Sequence, residues 1–190
     1  MNFKTLFDYL LALILLPVLL PVILILVLIS TLDTRSFGLF SQTRVGKNGQ
    51  FFQIYKIRTM KGAYDVAVTT EKTHKVTLIG KFFRDSKLDE LPQIFNILLG
   101  QMSFVGPRPD VPGYADQLQG EDRIILKVKP GITGPAQIAI KNEEEILVLQ
   151  ENPLKYNDEV LWPEKVKINK KYVQNQSFWF DLNYIFKTIF

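Results

Sequence analysis

The sequence contains no cysteine and a single histidine, His74, among its 190 residues. The absence of cysteine excludes disulfide frameworks, thiolate metal sites and cysteine nucleophiles. One histidine cannot form a histidine-rich metal centre, and a Ser-His-Asp arrangement would have to use His74. The sequence also lacks internal repeats, a Walker motif and the pattern G-x-G-x-x-G. Any catalysis is therefore expected to depend on carboxylates.

Charged residues are missing between Asp8 and Asp33, and residues 10–29 consist only of Leu, Ile, Val, Ala and two prolines. Such a stretch is long enough to cross a bilayer. A single stretch of this kind excludes a polytopic transporter, and its end lacks the small-residue cleavage pattern of a signal peptide. The rest of the chain has an ordinary globular composition and is long enough to bury a core.

Pro17 and Pro21 lie in the middle of this apolar stretch. Each removes a backbone donor and clashes with the carbonyl four residues earlier, so the pair predicts a bend in the helix. If the chain turns back at the bend, both ends stay on one side of the membrane. Prolines also occur in straight spanning helices, so the residues alone leave spanning and re-entrant paths open.

The net charge of +4 is concentrated after the apolar stretch, because residues 41–110 carry 11 Lys/Arg and 6 Asp/Glu. This placement favours an anionic partner, either lipid headgroups or a phosphorylated substrate. No nucleic-acid-binding motif accompanies the charge, so a nucleic-acid partner is not expected.

A β-hairpin is predicted over residues 39–60, because Asn48-Gly49 is a strong turn signal between two strand-like runs. The period of two places Lys56 and Arg58 on one face of the second strand. Residues 61–76 predict a loop, with His74 as a surface residue.

Residues 78–99 predict one or two helices. Asp89 and Glu90 precede Pro92, which is tolerated in the first turn of a helix, so both carboxylates are expected at a helix start. Ordinary capping and a phosphate-binding role both fit that position. Gly100 is expected to end the helix.

Two rigid turns follow, over residues 106–109 and 129–135, and the first fixes the origin of the Arg108 side chain. Glu143 to Glu145 are expected to open a helix. The aromatic-rich segment 172–190 fits either a core-packing terminal helix or a helix at the headgroup level of a membrane.

Five ordered blocks together resemble the bacterial sugar transferase family, the monotopic phosphoglycosyl transferases. The resemblance covers essentially the whole chain, and the order and spacing of the five blocks make it specific. The blocks are Arg44-x-Gly46-x-x-Gly49-x-x-Phe52, Tyr55-Lys56-Ile57-Arg58-Thr59-Met60, Leu88-Asp89-Glu90-Leu91-Pro92-Gln93 with Asn96-Ile97-Leu98, Met102-Ser103-Phe104-Val105-Gly106-Pro107-Arg108-Pro109 and Lys129-Pro130-Gly131-Ile132-Thr133-Gly134-Pro135-Ala136-Gln137.

Two positions depart from the family pattern. The family often has an Asp-Pro-Arg-x-Thr segment where this chain has Thr73-His74-Lys75-Val76-Thr77, so no role is assigned to an acidic residue there. The family also often has Trp at the position of Pro135. Neither change affects the Asp89-Glu90 pair.

The resemblance implies an α+β, mainly helical fold with a re-entrant N-terminal membrane helix broken at Pro17 or Pro21, a short β-hairpin and amphipathic interface helices around the active site. It implies a membrane anchor over residues 1–36 and a catalytic domain over residues 37–190 on the cytoplasmic face of the bacterial inner membrane. The small single-domain form of the family has this length.

The resemblance also implies a reaction. Such enzymes move a sugar-1-phosphate from a UDP-sugar to a polyprenyl phosphate such as undecaprenyl phosphate, and release UMP. They work in two steps through a covalent aspartyl phosphosugar and require Mg²⁺. This transfer is the first membrane step of bacterial glycoconjugate and polysaccharide assembly.

The residue types agree with that chemistry. Asp89 is expected to be the nucleophile, and Asp89 with Glu90 the Mg²⁺ ligands, because Mg²⁺ prefers carboxylate and phosphate oxygens. Glu90 either serves as a ligand or acts as a base toward the lipid phosphate. The expected contacts to the substrate and its phosphates come from Lys56, Arg58, Arg84, Arg108 and Gln137.

Two other classes of protein keep some of these features. A catalytically silent binder of polyprenyl phosphate or nucleotide sugar would keep the basic residues and the anchor, but it would not need the Asp89-Glu90 pair. A spanning anchor that holds a structural domain would leave both the carboxylates and the basic residues without a purpose.

The re-entrant path makes a direct prediction, and the absence of native cysteine simplifies its test. Single cysteines introduced at positions 2 and 48 are expected to react with a membrane-impermeant maleimide from the same side. Replacing both Pro17 and Pro21 with leucine is expected to favour a straight, spanning helix and to move position 2 to the opposite side. Opposite-side labelling in the unsubstituted helix would exclude re-entry.

Overall fold

The computed structural model describes residues 3–62 and 75–189, and His74 lies outside them. The chain forms two compact units, one of Met1–Thr43 with Phe52–Gly100 and the other of Arg44–Phe51 with Gln101–Phe190. The fold is α+β and mainly helical, as predicted. The predicted division into a membrane anchor over residues 1–36 and a catalytic domain over residues 37–190 concerns the position of the chain in the membrane, not these two units. It stays a prediction.

The first unit contains the long helix α1 and the elements that surround Asp89. Its core packs Leu26 of α1 against Ile57 of β2 and Phe83 of α2. Its elements are α1 (Phe3–Thr34), most of the hairpin strands β1 (Leu39–Val45) and β2 (Phe51–Ile57), β3 (Met60–Lys61), β4 (Lys75–Val76), α2 (Leu78–Asp85), a 3₁₀ helix (Leu88–Gln93) and α3 (Ile94–Leu98).

Helix α1 has apolar side chains exposed along its length, including Leu10, Ile14, Val18, Leu24 and Leu28. At about 1.5 Å per residue, its 32 residues extend about 48 Å, which exceeds the thickness of a bilayer's apolar core. The helix is long and apolar enough to cross a membrane. Pro17 and Pro21 both lie within one continuous helix, so a re-entrant path needs a bend inside it rather than an interrupting loop.

The C-terminal end of α1 is joined to the hairpin through polar contacts. Ser30 Oγ donates to the carbonyl oxygen of Arg58 at 2.6 Å. The Gly38 amide donates to Thr31 Oγ1 at 2.9 Å. The Arg58 amide then donates to the Gly38 carbonyl oxygen at 2.7 Å. These three bonds fix the direction in which β2 leaves the end of the apolar helix.

The predicted hairpin is confirmed, since β1 pairs with β2 in a two-stranded sheet. Asn48 and Gly49 both have positive φ, which explains the turn signal in the sequence. The predicted loop after the hairpin is corrected at its two ends, where β3 and β4 pair antiparallel with Met60 opposite Val76. These two-residue strands are too short for a period to appear in the sequence.

The side chain of Asn96 in α3 makes two hydrogen bonds to the backbone of β2, of the kind that a neighbouring strand would make. It is fully buried, its Oδ1 accepts from the Tyr55 amide at 3.1 Å and its Nδ2 donates to the Gln53 carbonyl at 2.7 Å. The buried amide of Asn96 would be costly without partners, so these two bonds stabilise β2 next to α3. Helix α3 follows the 3₁₀ helix directly and ends before Gly100, as predicted.

The second unit is built around a short parallel strand pair and the long helix α7. Its core packs Val45, Ala115, Ile125, Leu126 and Val166 together. Its elements are a 3₁₀ turn (Lys47–Gly49), β5 (Ser103–Val105), 3₁₀ helices (Ala115–Gln117 and Gly120–Lys127), β6 (Gly131–Thr133), α4 (Pro135–Ala139), α5 (Glu143–Val148), α6 (Pro153–Tyr156), a π-helical turn (Asn157–Leu161), α7 (Trp162–Gln174) and α8 (Phe178–Ile189).

The two rigid turns predicted from the sequence pack backbone against backbone. Strands β5 and β6 are parallel, with Val105 opposite Thr133. A Cβ atom on Gly131 would lie 2.1 Å from the Gly106 nitrogen, and one on Gly134 would lie 2.0 Å from the Gly106 oxygen. Only glycine allows this approach, which explains why both motif blocks contain it.

The aromatic C-terminal segment is divided between core and surface. Buried Tyr172 in α7 donates from its hydroxyl to Asp181 Oδ1 at 2.6 Å and packs edge-on against Tyr184. Trp179 in α8 is 76% exposed, and Phe186 is exposed as well. The core-packing interpretation is therefore confirmed for the part around Tyr172 and Tyr184. The position of the exposed part at the headgroup level of a membrane stays a prediction.

Asn96→Ala is expected to lower the free energy of unfolding by about 1–3 kcal/mol, because the Tyr55 amide and the Gln53 carbonyl, both partly buried hydrogen-bonding groups of β2, lose their partners. Heating in detergent followed by size-exclusion chromatography measures the loss of folded protein. Asn142→Ala is the control, since Asn142 is exposed and makes no side-chain cap to α5. Equal heat stability of the two variants would contradict the role given to Asn96.

Candidate active site

Asp89 and Glu90 lie side by side in the first turn of the 3₁₀ helix, as the sequence predicted. Helix α2 ends at Asp85, and Lys87, with φ of 57°, reverses the chain direction before the turn begins. Both carboxylates are only 7% exposed. Adjacent buried carboxylates repel each other, so this pair needs positive charge or hydrogen-bond donors close by.

Lys56 supplies one of those charges from β2. Its Nζ donates to Glu90 Oε1 at 3.0 Å, and both side chains are mostly buried. The alternation of β2 buries Ile54 and places Lys56 two positions further along the strand, on the face predicted from the sequence. The strand therefore runs from the core to the carboxylate pair.

Arg84 and Arg58 are both held in place by hydrogen bonds within the first unit. Arg84 Nε donates to Thr59 Oγ1 at 3.0 Å. Arg58 Nε donates to the Phe37 carbonyl at 2.8 Å, and its guanidinium lies 5.5 Å from the centre of the Phe40 ring. The structure thus gives Arg58 a contact role at the end of α1 that the sequence did not reveal.

Gln93 ends the 3₁₀ helix that carries the two carboxylates. It is almost completely buried, and its Nε2 has no hydrogen-bond partner among residues 3–62 and 75–189. A buried donor without a partner is uncommon and is found at sites that take up water or a ligand. The motif contained Gln93, but nothing in the sequence distinguished it from a packing residue.

Arg108 and Gln137 belong to the second unit. Arg108 is exposed just after β5, between Pro107 and Pro109. Gln137 in α4 donates from Nε2 to the Ile132 carbonyl at 3.1 Å, while its buried Oε1 has no partner in the part of the chain that the structure describes. The free group of Gln137 is thus an acceptor, which suits a hydroxyl or N–H group of a ligand better than a phosphate oxygen.

The carboxylate pair is the part of the site that fits a magnesium ion. Within residues 3–62 and 75–189, no group of three or more His, Asp or Glu side chains is arranged to hold a metal. A two-carboxylate donor set suits Mg²⁺, which is commonly bound by one or two carboxylates together with substrate phosphates and water. Asp89 and Glu90 fit that pattern.

The sequence matches a known family over its whole length. The profile of the family described as bacterial sugar transferase aligns with residues 1–190. With this match, the fold and the carboxylate site define a member of the bacterial sugar transferase family, and the chain belongs to it.

Several characterised relatives have similar sequences. A UDP-glucose:undecaprenyl-phosphate glucose-1-phosphate transferase of Klebsiella pneumoniae is 35% identical over all of this chain and 40% of its own length. A UDP-N-acetylgalactosamine-undecaprenyl-phosphate N-acetylgalactosaminephosphotransferase of Aeromonas hydrophila is 34% identical over 80% of this chain and 34% of its length. The exopolysaccharide production protein ExoY of Sinorhizobium fredii is 32% identical over 98% of this chain and 83% of its length. The chain thus spans well under half of the first two relatives and most of the third.

Lys56→Met is expected to lower the free energy of unfolding by about 1–3 kcal/mol, because it removes the cation that faces the buried Glu90. The double variant Lys56→Met/Glu90→Gln is expected to recover part of that loss. Heat stability in detergent, measured over the full double-mutant cycle, gives the coupling.

Lys155→Met is the matched control. Lys155 Nζ lies 3.9 Å from Glu159 Oε1, both side chains are exposed, and such a pair contributes little to the free energy of unfolding. If the coupling between Lys56 and Glu90 is no larger than that of the exposed pair, Lys56 does not compensate the buried charge of Glu90.

Proposed function

We propose that this chain is a phosphoglycosyl transferase that moves a sugar-1-phosphate from a UDP-sugar to undecaprenyl phosphate and releases UMP. The observation that carries the proposal is the nearly buried Asp89-Glu90 pair, with Lys56 bound to Glu90, in the same unit as the apolar helix α1. The names of the relatives support the substrate class. Because those names include both glucose and N-acetylgalactosamine, the sugar is left open.

The proposed first step is an attack by the Asp89 carboxylate on the phosphorus that bears the sugar. The bond from that phosphorus to the bridging oxygen breaks, and UMP leaves with the oxygen. In the second step, an oxygen of the lipid phosphate attacks the same phosphorus. The bond to Asp89 breaks, which regenerates the carboxylate and forms the lipid diphosphosugar.

Cations are needed because a carboxylate and a diphosphate repel each other. When bound, Mg²⁺ held by Asp89 and Glu90 would neutralise charge on the diphosphate. The chain's own part is to hold fixed positive charge where negative charge develops, which lowers the barrier without reorganisation during the reaction. We propose this role for Lys56, Arg58, Arg84 and Arg108, and a contact of Gln137 Oε1 with a donor group of the substrate.

Glu90 has two proposed roles, as a ligand or as a base that takes the proton of the lipid phosphate. Its contact with Lys56 is compatible with either role, since a carboxylate accepts several bonds at once. The two roles affect different steps. A variant that separates loading, the transfer of the phosphosugar to Asp89, from discharge, its transfer to the lipid phosphate, distinguishes them.

The membrane location follows from the chemistry of the two substrates. The nucleotide sugar is water-soluble, and the polyprenyl tail stays in the bilayer, so the reaction has to take place at the interface. The exposed apolar side chains of α1 and those of Leu78, Ile79 and Phe82 on α2 support contact with lipid. We propose a re-entrant α1, with the catalytic residues on the cytoplasmic face of the bacterial inner membrane.

Asp89→Asn is expected to reduce UMP release by roughly a thousandfold or more while leaving the fold intact, because the amide cannot act as the attacking anion. Wild-type protein given Mg²⁺ and a UDP-sugar labelled in the sugar, without lipid, is expected to bind the label covalently. Addition of undecaprenyl phosphate or of UMP is expected to discharge it, since the first step is reversible.

Asp85→Asn is the matched control, because Asp85 is an exposed carboxylate four residues earlier in the chain. Glu90→Gln is expected to load label and discharge it slowly if Glu90 is the base, and to fail in loading if it is a ligand. Robust turnover by Asp89→Asn, or turnover without protein-bound label, would contradict the two-step mechanism.

A further inference from the structure

Arg58 lies where the hairpin meets the C-terminal end of α1. Its amide donates to the Gly38 carbonyl at 2.7 Å, and its carbonyl accepts from Ser30 Oγ at 2.6 Å. The side chain bonds to the same segment, since Arg58 Nε donates to the Phe37 carbonyl at 2.8 Å. Backbone and side chain of Arg58 are therefore both joined to the last turns of the apolar helix and the residues that follow them.

Two contacts restrict the plane of the Arg58 guanidinium. One is the hydrogen bond from Nε to the Phe37 carbonyl, which is exposed, as is the Phe37 side chain at 67%. The other is the ring of Phe40, whose centre lies 5.5 Å from the guanidinium carbon, within the range of a cation–π interaction. A guanidinium held in this way loses less entropy when it binds an anion than one on a free side chain.

The end of α1 at which Arg58 is held is the boundary between apolar and charged surface. Leu32 is 73% exposed, and Asp33 and Arg35 are the first charged residues after the apolar stretch. On a spanning path and on a re-entrant path alike, such a boundary suits the headgroup level of a bilayer. The bond of Arg58 to the Phe37 carbonyl keeps its guanidinium at this boundary.

The same extended chain connects Arg58 with the carboxylate pair. Lys56 Nζ donates to Glu90 Oε1 at 3.0 Å, and Arg58 follows two residues later. At about 3.3 Å per residue, their Cα atoms are about 7 Å apart. Along this strand, Lys56 thus contacts the carboxylate pair and Arg58 contacts the end of α1.

We propose that Arg58 serves the second step of the reaction, in which it binds the phosphate of the polyprenyl phosphate acceptor. A phosphate at the end of a lipid chain is held at the bilayer surface, and a guanidinium binds two of its oxygens at once. The inference rests on the proposed function, in which an oxygen of that phosphate attacks the phosphorus bound to Asp89. Arg58 takes no part in the bonds that form or break.

The test measures the two half-reactions separately, in a neutral detergent with Mg²⁺. Loading from a labelled UDP-sugar needs no lipid, and discharge of the loaded protein is followed with undecaprenyl phosphate. Arg58→Gln is expected to raise the undecaprenyl phosphate concentration for half-maximal discharge about tenfold, because a charge-assisted contact to phosphate is lost. The UDP-sugar concentration for half-maximal loading is expected to stay within about twofold of that of the wild type.

Discharge by UMP is the internal control, because it starts from the same covalent intermediate but uses a water-soluble phosphate. Arg58→Gln is expected to be discharged by UMP as the wild type is. Arg35→Gln is the matched variant, since Arg35 is an exposed arginine at the same end of α1 and has no proposed part in the reaction. It removes the same charge and is expected to keep wild-type discharge by both acceptors.

An anionic phospholipid headgroup offers the same phosphate chemistry at the same level of the bilayer, and nanodiscs separate it from the acceptor. The weaker discharge of Arg58→Gln is expected both in discs of phosphatidylcholine alone and in discs that also contain phosphatidylglycerol. A loss confined to the discs with phosphatidylglycerol would mean that Arg58 binds bulk headgroups, and the proposed role would be wrong.

The outcomes distinguish this inference from the proposed function. Absence of protein-bound label in the wild type would contradict the proposed function itself. If the wild type loads and discharges, a defect of Arg58→Gln in loading as large as its defect in discharge would assign Arg58 to the nucleotide sugar and overturn the inference alone. Unchanged discharge of Arg58→Gln by undecaprenyl phosphate would overturn it as well.

A second variant decides the matter if Arg58→Gln does not fold. Arg58→Lys keeps the positive charge, but a lysine cannot make the planar, two-pronged contact with a phosphate. Wild-type loading with weaker discharge by undecaprenyl phosphate supports the proposed role. Wild-type discharge by Arg58→Lys overturns it.

Discussion

The burial of two adjacent carboxylates is the constraint on which the first unit depends. Asp89 and Glu90 repel each other away from bulk water, so the surrounding elements have to supply compensation. Lys56 does so from β2, and β2 is held in turn by Asn96 and by the end of α1. The strand that carries Lys56 is therefore joined to the 3₁₀ helix through Glu90 and to the end of the apolar helix through Ser30.

The second unit uses a different device to fix a charged residue. Gly106, Gly131 and Gly134 allow two backbone segments to approach more closely than any side chain would permit. That contact holds the start of the segment in which Arg108 lies between two prolines. Rigid backbone on both sides reduces the entropy lost when an arginine binds a phosphate, which suits a residue whose geometry has to be reproducible.

The apolar helix α1 gives the first unit two contrasting surfaces. Its exposed leucines, isoleucines and valines carry no hydrogen-bonding groups and suit the interior of a bilayer. Its last turns carry Ser30 and Thr31, whose hydroxyls bond to the hairpin region. One helix thus has an apolar part that suits lipid and a polar end that bonds to the hairpin region. The carboxylate pair belongs to the same unit as this helix.

The sequence by itself determined the apolar helix, the hairpin, the position of Asp89 and Glu90 at a helix start and the family, because each depends on local periodicity, turn chemistry or ordered motifs. It did not determine that Lys56 binds Glu90 or that Asn96 bonds to the backbone of β2. Those contacts join residues from different elements, many of them far apart in the chain. Only the packing of helices against strands decides which of many polar side chains come into contact. The spacing of residues along the chain does not determine the distance between side chains of different elements.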